Sequence, residues 1–168
     1  MRFKAIALFL ALTIFYPALS DAKTIKFPKK HPEFSITFPN DWKADITEAG
    51  IISAQPKGAA YAISIFPVEA RDMAGAIEET RKEVEKRFTD VKGGDPVDFK
   101  NDNGIKFRET DMTGQDKDSA RTLAIVAFTI DRASFYALFQ AGTPEADRQY
   151  TDQVAGIIKS IAPVKTSN

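Results

Sequence analysis

The 168-residue chain contains no cysteine. Disulfides, thiolate metal centres and lipid attachment at an N-terminal Cys are therefore excluded, and an exported form must hold together by its core alone. Histidine occurs once, at His31, and a single imidazole cannot build a Cys/His zinc site. Charge of one sign is not in excess, with 23 basic against 23 acidic side chains. A nucleic-acid binder carries a basic patch or stripe; here the basic residues gather only at Lys26, Lys29 and Lys30, which read as a solvated arm. There is no P-loop, since Gly93-Gly94 runs into Asp95, which repels an anion. The Gly-x-Ser-x-Gly elbow of serine hydrolases is missing too.

What is present begins with an address. Arg2 and Lys4 precede an uncharged run from Ala5 to Leu19, and small residues then offer cleavage after Ser20 or Ala22. This is the layout of a secretory signal peptide. The run falls short of the ~20 residues that cross a bilayer, and Pro17 interrupts it. The expectation is a signal peptide over residues 1–22 and one domain over 23–168. The mature protein is then periplasmic or secreted, with no stable membrane span left after cleavage.

The domain reads as strands, a helix, more strands and a final helix. Phe34, Ile36 and Phe38 alternate with Ser35 and Thr37, the period of a half-buried strand, which Pro39 ends. Trp42, Ala44 and Ile46 alternate again, and Tyr61, Ile63 and Ile65 form a further strand stopped by Pro67. Met73, Ile77, Thr80, Val84 and Phe88 mark one stripe of a helix predicted from Asp72 to Asp90. Asn101-Asp102-Asn103-Gly104 predicts a hairpin turn, because Asn-Gly supplies the positive φ that a tight turn needs. A calcium loop fails there: aligning Gly104 with its glycine puts Phe99 and Thr110 where acidic ligands belong. Leu123 to Ile130 and Ala133 to Ala141 are apolar on both faces and predict central strands covered on both sides. Thr143, Pro144 and Glu145 start a second helix, whose buried stripe is Tyr150, Val154, Ile157, Ile158 and Ile161.

Candidates for chemistry are few. His31 lies between Lys30 and Pro32 in an extended lead-in, with no partner motif for a base. Asp111, Asp116 and Asp118 could bind a hard metal by residue type, but between strands they read as a solvated loop. Trp42, just past a strand-ending proline, reads as a corner of the core rather than a ligand-stacking residue. No catalytic, cofactor-binding or metal residue is assigned, no cofactor is expected, and the binding residues stay open.

The motif Phe-x-Ile-x-Phe-Pro-x-x-Trp at Phe34 to Trp42 resembles the start of the PsbP-like superfamily. Tyr136-Ala137-Leu138, Thr143-Pro144 and Ile158-Lys159-Ser160-Ile161 are similar to its end, so the likeness covers nearly all of the mature chain. That group includes the extrinsic photosystem II subunit, bacterial DcrB-like proteins and a yeast nuclear-import factor that binds the GTPase Ran. The resemblance implies an α+β fold, an α/β/α sandwich whose central antiparallel sheet is covered by one helix on each face. It also implies binding rather than catalysis, and it carries over no functional residue. The expected function is an exported soluble binding or accessory protein, not an enzyme. It would act through a protein partner in the cell envelope and not on nucleic acid. A carrier of a small apolar ligand is the alternative, and a hydrolase relying on carboxylates the next.

Overall fold

The computed structural model describes residues 22–131 and 133–164. The predicted signal peptide thus lies almost wholly outside the described residues. None of the described helices is long and apolar enough to cross a membrane.

The expected α/β/α sandwich is overturned. The described residues form eleven strands, in two antiparallel sheets, and two helices. The smaller sheet joins β1 (Lys23–Phe27), β2 (Phe34–Phe38) and β11 (Ala162–Pro163). The larger one contains β3 (Trp42–Ile46), β4 (Ile52–Pro56), β5 (Tyr61–Val68), β6 (Thr89–Gly93), β7 (Val97–Lys100), β8 (Lys106–Asp116), β9 (Ser119–Thr129) and β10 (Phe135–Gly142). Its order is β3-β4-β5-β10-β9-β8-β6, with β7 also pairing to β8. Strand β2 therefore belongs to a second layer instead of the central sheet. Its period-two face buries Phe34, Ile36 and Phe38 against the large sheet, and β1 adds Ile25 and Phe27 to the same layer. Ring contacts fix this layer: Phe34 lies 5.2 Å from Phe128 and 5.0 Å from Tyr136, centroid to centroid.

Helix α1 (Met73–Glu85) packs Ala76, Ile77 and Val84 on one face of the large sheet, against Leu123, Ile125, Ala127 and Ala137. Helix α2 (Pro144–Ser160) shares the opposite face with the small sheet. The predicted first helix is too long: Asp72 caps it by accepting from the Gly75 N–H at 2.7 Å, but it ends at Glu85 and the chain turns into β6. Pro67 does not stop β5. Beyond Ile65 the neighbour β4 has ended, so the missing N–H at Pro67 faces no partner strand on that side. Strand β9 is interior, between β10 and β8, and its residues Leu123 to Phe128 are buried on both faces.

Two latches place α2. At its start the Thr143 hydroxyl accepts from the Ala146 N–H at 3.2 Å, with Pro144 in the first turn. At its end stands the 101–104 turn. The Asn101 Nδ2 donates to the Ile161 carbonyl at 2.8 Å, while its Oδ1 accepts from the Asn103 and Ile105 N–H groups at 3.1 Å each. The Asn103 Nδ2 donates to the same Ile161 carbonyl at 2.9 Å. The turn predicted as a plain hairpin is thus also the C-terminal cap of α2, supplying donors to carbonyls the helix leaves open.

Candidate ligand-binding groove

Along β8 the residues Phe107, Glu109, Asp111 and Thr113 share one face by the two-residue period of a strand. Phe107 lies in the core below the small sheet, but α2 does not extend over the others. A groove of about 880 Å³ results, with the large sheet as floor, α2 as one wall and the chain from Lys92 to Asp102 as the other. That second wall is tied down by the Gly94 N–H donating to the Asp111 carbonyl at 2.8 Å and by the Thr110 hydroxyl donating to the Gly94 carbonyl at 3.0 Å.

Strand register sets the floor. Asp111 stands opposite Ala124, Ala124 opposite Gln140, and Gln140 opposite Ile63. One row on, Thr113, Thr122, Gly142 and Tyr61 are aligned in the same way. The small residues leave depth, and Gly142 has a specific task. A Cβ there would lie 2.2 Å from the Tyr61 Cδ2, so glycine is what lets the Tyr61 ring settle over β10. The Tyr61 hydroxyl then donates to the Gln140 Oε1 at 2.9 Å. Behind this pair Trp42, 4 % exposed, meets Tyr61 and Tyr150 edge to face with ring centroids 6.1 and 5.9 Å away, and its Nε1 donates to the Gln153 Oε1 of α2 at 2.5 Å. Trp42 is therefore a corner of the core, set directly behind the groove.

The electrostatics of the floor are one-sided. Burial, and then the neighbouring Asp111, push the Glu109 carboxyl above the usual range. Burial and Asp111 also raise Asp147, in the first turn of α2, against a weaker opposing pull from Arg148. Burial is the main reason the Tyr61 hydroxyl is held well above its ordinary value, with Asp147 and Glu109 adding to it. Lys92, Lys100 and Lys159 also line the groove, and all three side chains are exposed. Phe99, Val154 and Ile158 supply an apolar wall. Chemically the groove offers half-buried carboxylates, a neutral phenol–amide pair and apolar surface.

The residues singled out from sequence are scattered by comparison. His31 is exposed, in the bend between β1 and β2. Asp111 faces the groove from β8, Asp116 pairs with Arg121 at 3.3 Å, and Asp118 sits in a turn with φ of 61°. No set of three metal-ligating side chains converges among the described residues. Glu109, Gln140 and Asp147 were missed. The first was open to discovery, since carboxylates at Glu109 and Asp111 continue the inward period that Phe107 begins; so was Gln140, a lone amide in an apolar strand.

No protein-family model matches the sequence, and no curated protein matches it. Solved structures do match. Cyanobacterial PsbP (CyanoP) from Synechocystis sp. PCC 6803 superposes with a TM-score of 0.63 at 9 % identity, over 89 % of this chain and 96 % of that one. LpqN, involved in cell envelope biogenesis of Mycobacterium tuberculosis, gives 0.59 at 15 % identity over 86 % and 92 %. The Pseudomonas aeruginosa protein PA94, described as a putative regulator of unknown function, gives 0.55 at 14 % over 86 % and 99 %. The chain has the PsbP-like fold. At these identities the likeness is one of fold, and it assigns no ligand or partner.

Proposed function

We propose that this is an exported accessory protein of the cell envelope that works by binding, not by catalysis, and that the groove beside α2 is its binding site. The observation that carries the reading is the groove itself. Its volume of about 880 Å³ falls in the range of roughly 300–1,000 Å³ typical of small-molecule sites, and its lining mixes apolar surface with a few converging polar groups. The signal-like N-terminus and the fold shared with an envelope-biogenesis protein favour the location. Weight moves from a protein-docking surface toward a ligand carrier for a physical reason. Val97, at 62 % exposure, is the one exposed large apolar side chain among the described residues, whereas the groove holds apolar and polar groups together.

The test is native mass spectrometry of the protein recovered from its own cells, beside the variant Ala155→Trp. Ala155 lines the groove from an exposed position on α2, so an indole there fills the site without entering the core. The parent should carry added mass that the variant lacks. A bare parent, or the same added mass on both, would overturn the reading.

A further inference from the structure

The geometry points to an organic amine with an adjacent oxygen and an apolar body as the ligand class of this groove, its ammonium among Glu109, Asp111 and Asp147. This deepens the proposed function and rests on it. Two independent observations lead here. The first is the placement of carboxylates. Glu109 and Asp111 project from one strand face and Asp147 from the first turn of α2, and all three line the same groove. Glu109 and Asp147 are only partly exposed, so water compensates their charge poorly, and no ion pair forms with either among the described residues. Lys92, Lys100 and Lys159, which also line the groove, are exposed like Asp111, so solvent and salt weaken their field and the charge of Glu109 and Asp147 dominates the part-buried floor.

The second observation is Gln140. Its residue is 8 % exposed and lines the groove, and its oxygen is taken by the Tyr61 hydroxyl. Its Nε2 has no hydrogen-bond partner among the described residues. This nitrogen is open to the groove and not enclosed, so a ligand that displaces its water must supply an acceptor in turn. An ammonium alone would leave that donor open; an anion would satisfy it but meet the carboxylates. A hydroxyl or carbonyl oxygen next to an ammonium satisfies both, and the Tyr61 oxygen has lone-pair capacity to accept from the same ammonium. Phe99, Val154 and Ile158 then receive the apolar body.

Calorimetric titration of the full chain decides it, with 2-amino-1-phenylethanol as probe. The comparison probes are 2-phenylethylamine, 2-phenylethanol and 3-phenylpropionate, and a lysine-bearing hexapeptide is added as a further arm. The amino alcohol should bind at least tenfold tighter than the neutral alcohol and should surpass the simple amine. The paired variant Glu109→Gln/Asp147→Asn should weaken it at least tenfold, with circular dichroism unchanged. Ala155→Trp should abolish it. Equal or tighter binding of the alcohol, the carboxylate or the peptide at the same site would overturn the amine class while leaving the groove as a binding site. So would silence from every probe when Ala155→Trp still removes the added mass seen from cells. Amine binding untouched by Ala155→Trp would place the amine elsewhere and overturn the inference as well.

Discussion

Replacing Asn101 with alanine tests how α2 is held over the sheet. Asn101 is 8 % exposed and makes three well-formed hydrogen bonds, two as acceptor and one as donor. The loss is not three equal parts. Ile105 is buried, so its N–H is left without a partner, at a cost of ~1–3 kcal/mol. The Asn103 N–H lies in an exposed turn and can turn to water, so its loss is about 0.5 kcal/mol. The Ile161 carbonyl keeps its bond from Asn103, at 2.9 Å. The sum is about 2.5 kcal/mol, and at ~2–4 °C per kcal/mol for a domain of this size the melting point should fall by roughly 5–10 °C. Asn103→Ala alone should cost about 0.5 kcal/mol, because Asn101 still serves the same carbonyl. In the double variant that carbonyl loses both donors, so the pair should exceed the sum of the singles by ~1–2 kcal/mol. Urea unfolding followed by circular dichroism gives all four corners of the cycle. An Asn101→Ala loss under ~1 kcal/mol, or additivity of the two substitutions within ~0.5 kcal/mol, would refute the shared-cap reasoning.

Three other perturbations probe different parts of the molecule. Gly142→Ala should displace the Tyr61 ring and break its bond to Gln140, read as a changed near-ultraviolet spectrum and lost amine binding; an unaltered Tyr61 environment would contradict the close approach. Glu109→Gln should raise the urea midpoint at pH 7. Because folding raises this pKa, the unfolded chain releases its proton first as pH climbs, so stability falls through that window and the deficit is complete above the folded pKa. The advantage of the variant should close below about pH 4, the ordinary range of glutamate, and a variant less stable at pH 7 would reverse the sign worked out here. Phe34→Ala removes a ring with no exposure that touches Phe27, Phe128 and Tyr136, and should cost ~3–5 kcal/mol in denaturant unfolding. A cost below ~1 kcal/mol would mean that the small sheet does not dock as a core layer.

Much of the fold could be read locally. The alternation at Phe34 to Phe38 and at Trp42 to Ile46 gave strands at those bounds, and Thr143-Pro144 placed the start of α2 because cap chemistry depends on adjacent residues. What could not be read locally was which strands share a layer. Strand β1 is hidden because Lys23 and Lys26 mask the inward pair Ile25 and Phe27, and β6 because only Val91 turns partly inward and the strand is held by backbone pairing to β8. Without β1 and β11 as partners, the pattern of β2 alone points to the central sheet, and the cover on that face reads as a helix alone. The groove was hidden for a similar reason. It exists because α2 and the small sheet cover only part of one face, and no stretch of sequence states where a cover stops.

The most direct test of the account is two-dimensional ¹H–¹⁵N NMR of the full chain, titrated with 2-amino-1-phenylethanol. Saturable shifts should gather at Gly93, Gly94, Glu109, Thr113, Gln140 and Asp147, with the α1 face of the sheet unmoved. Shifts clustered on α1, or scattered and unsaturable, would contradict a binding site between α2 and the sheet.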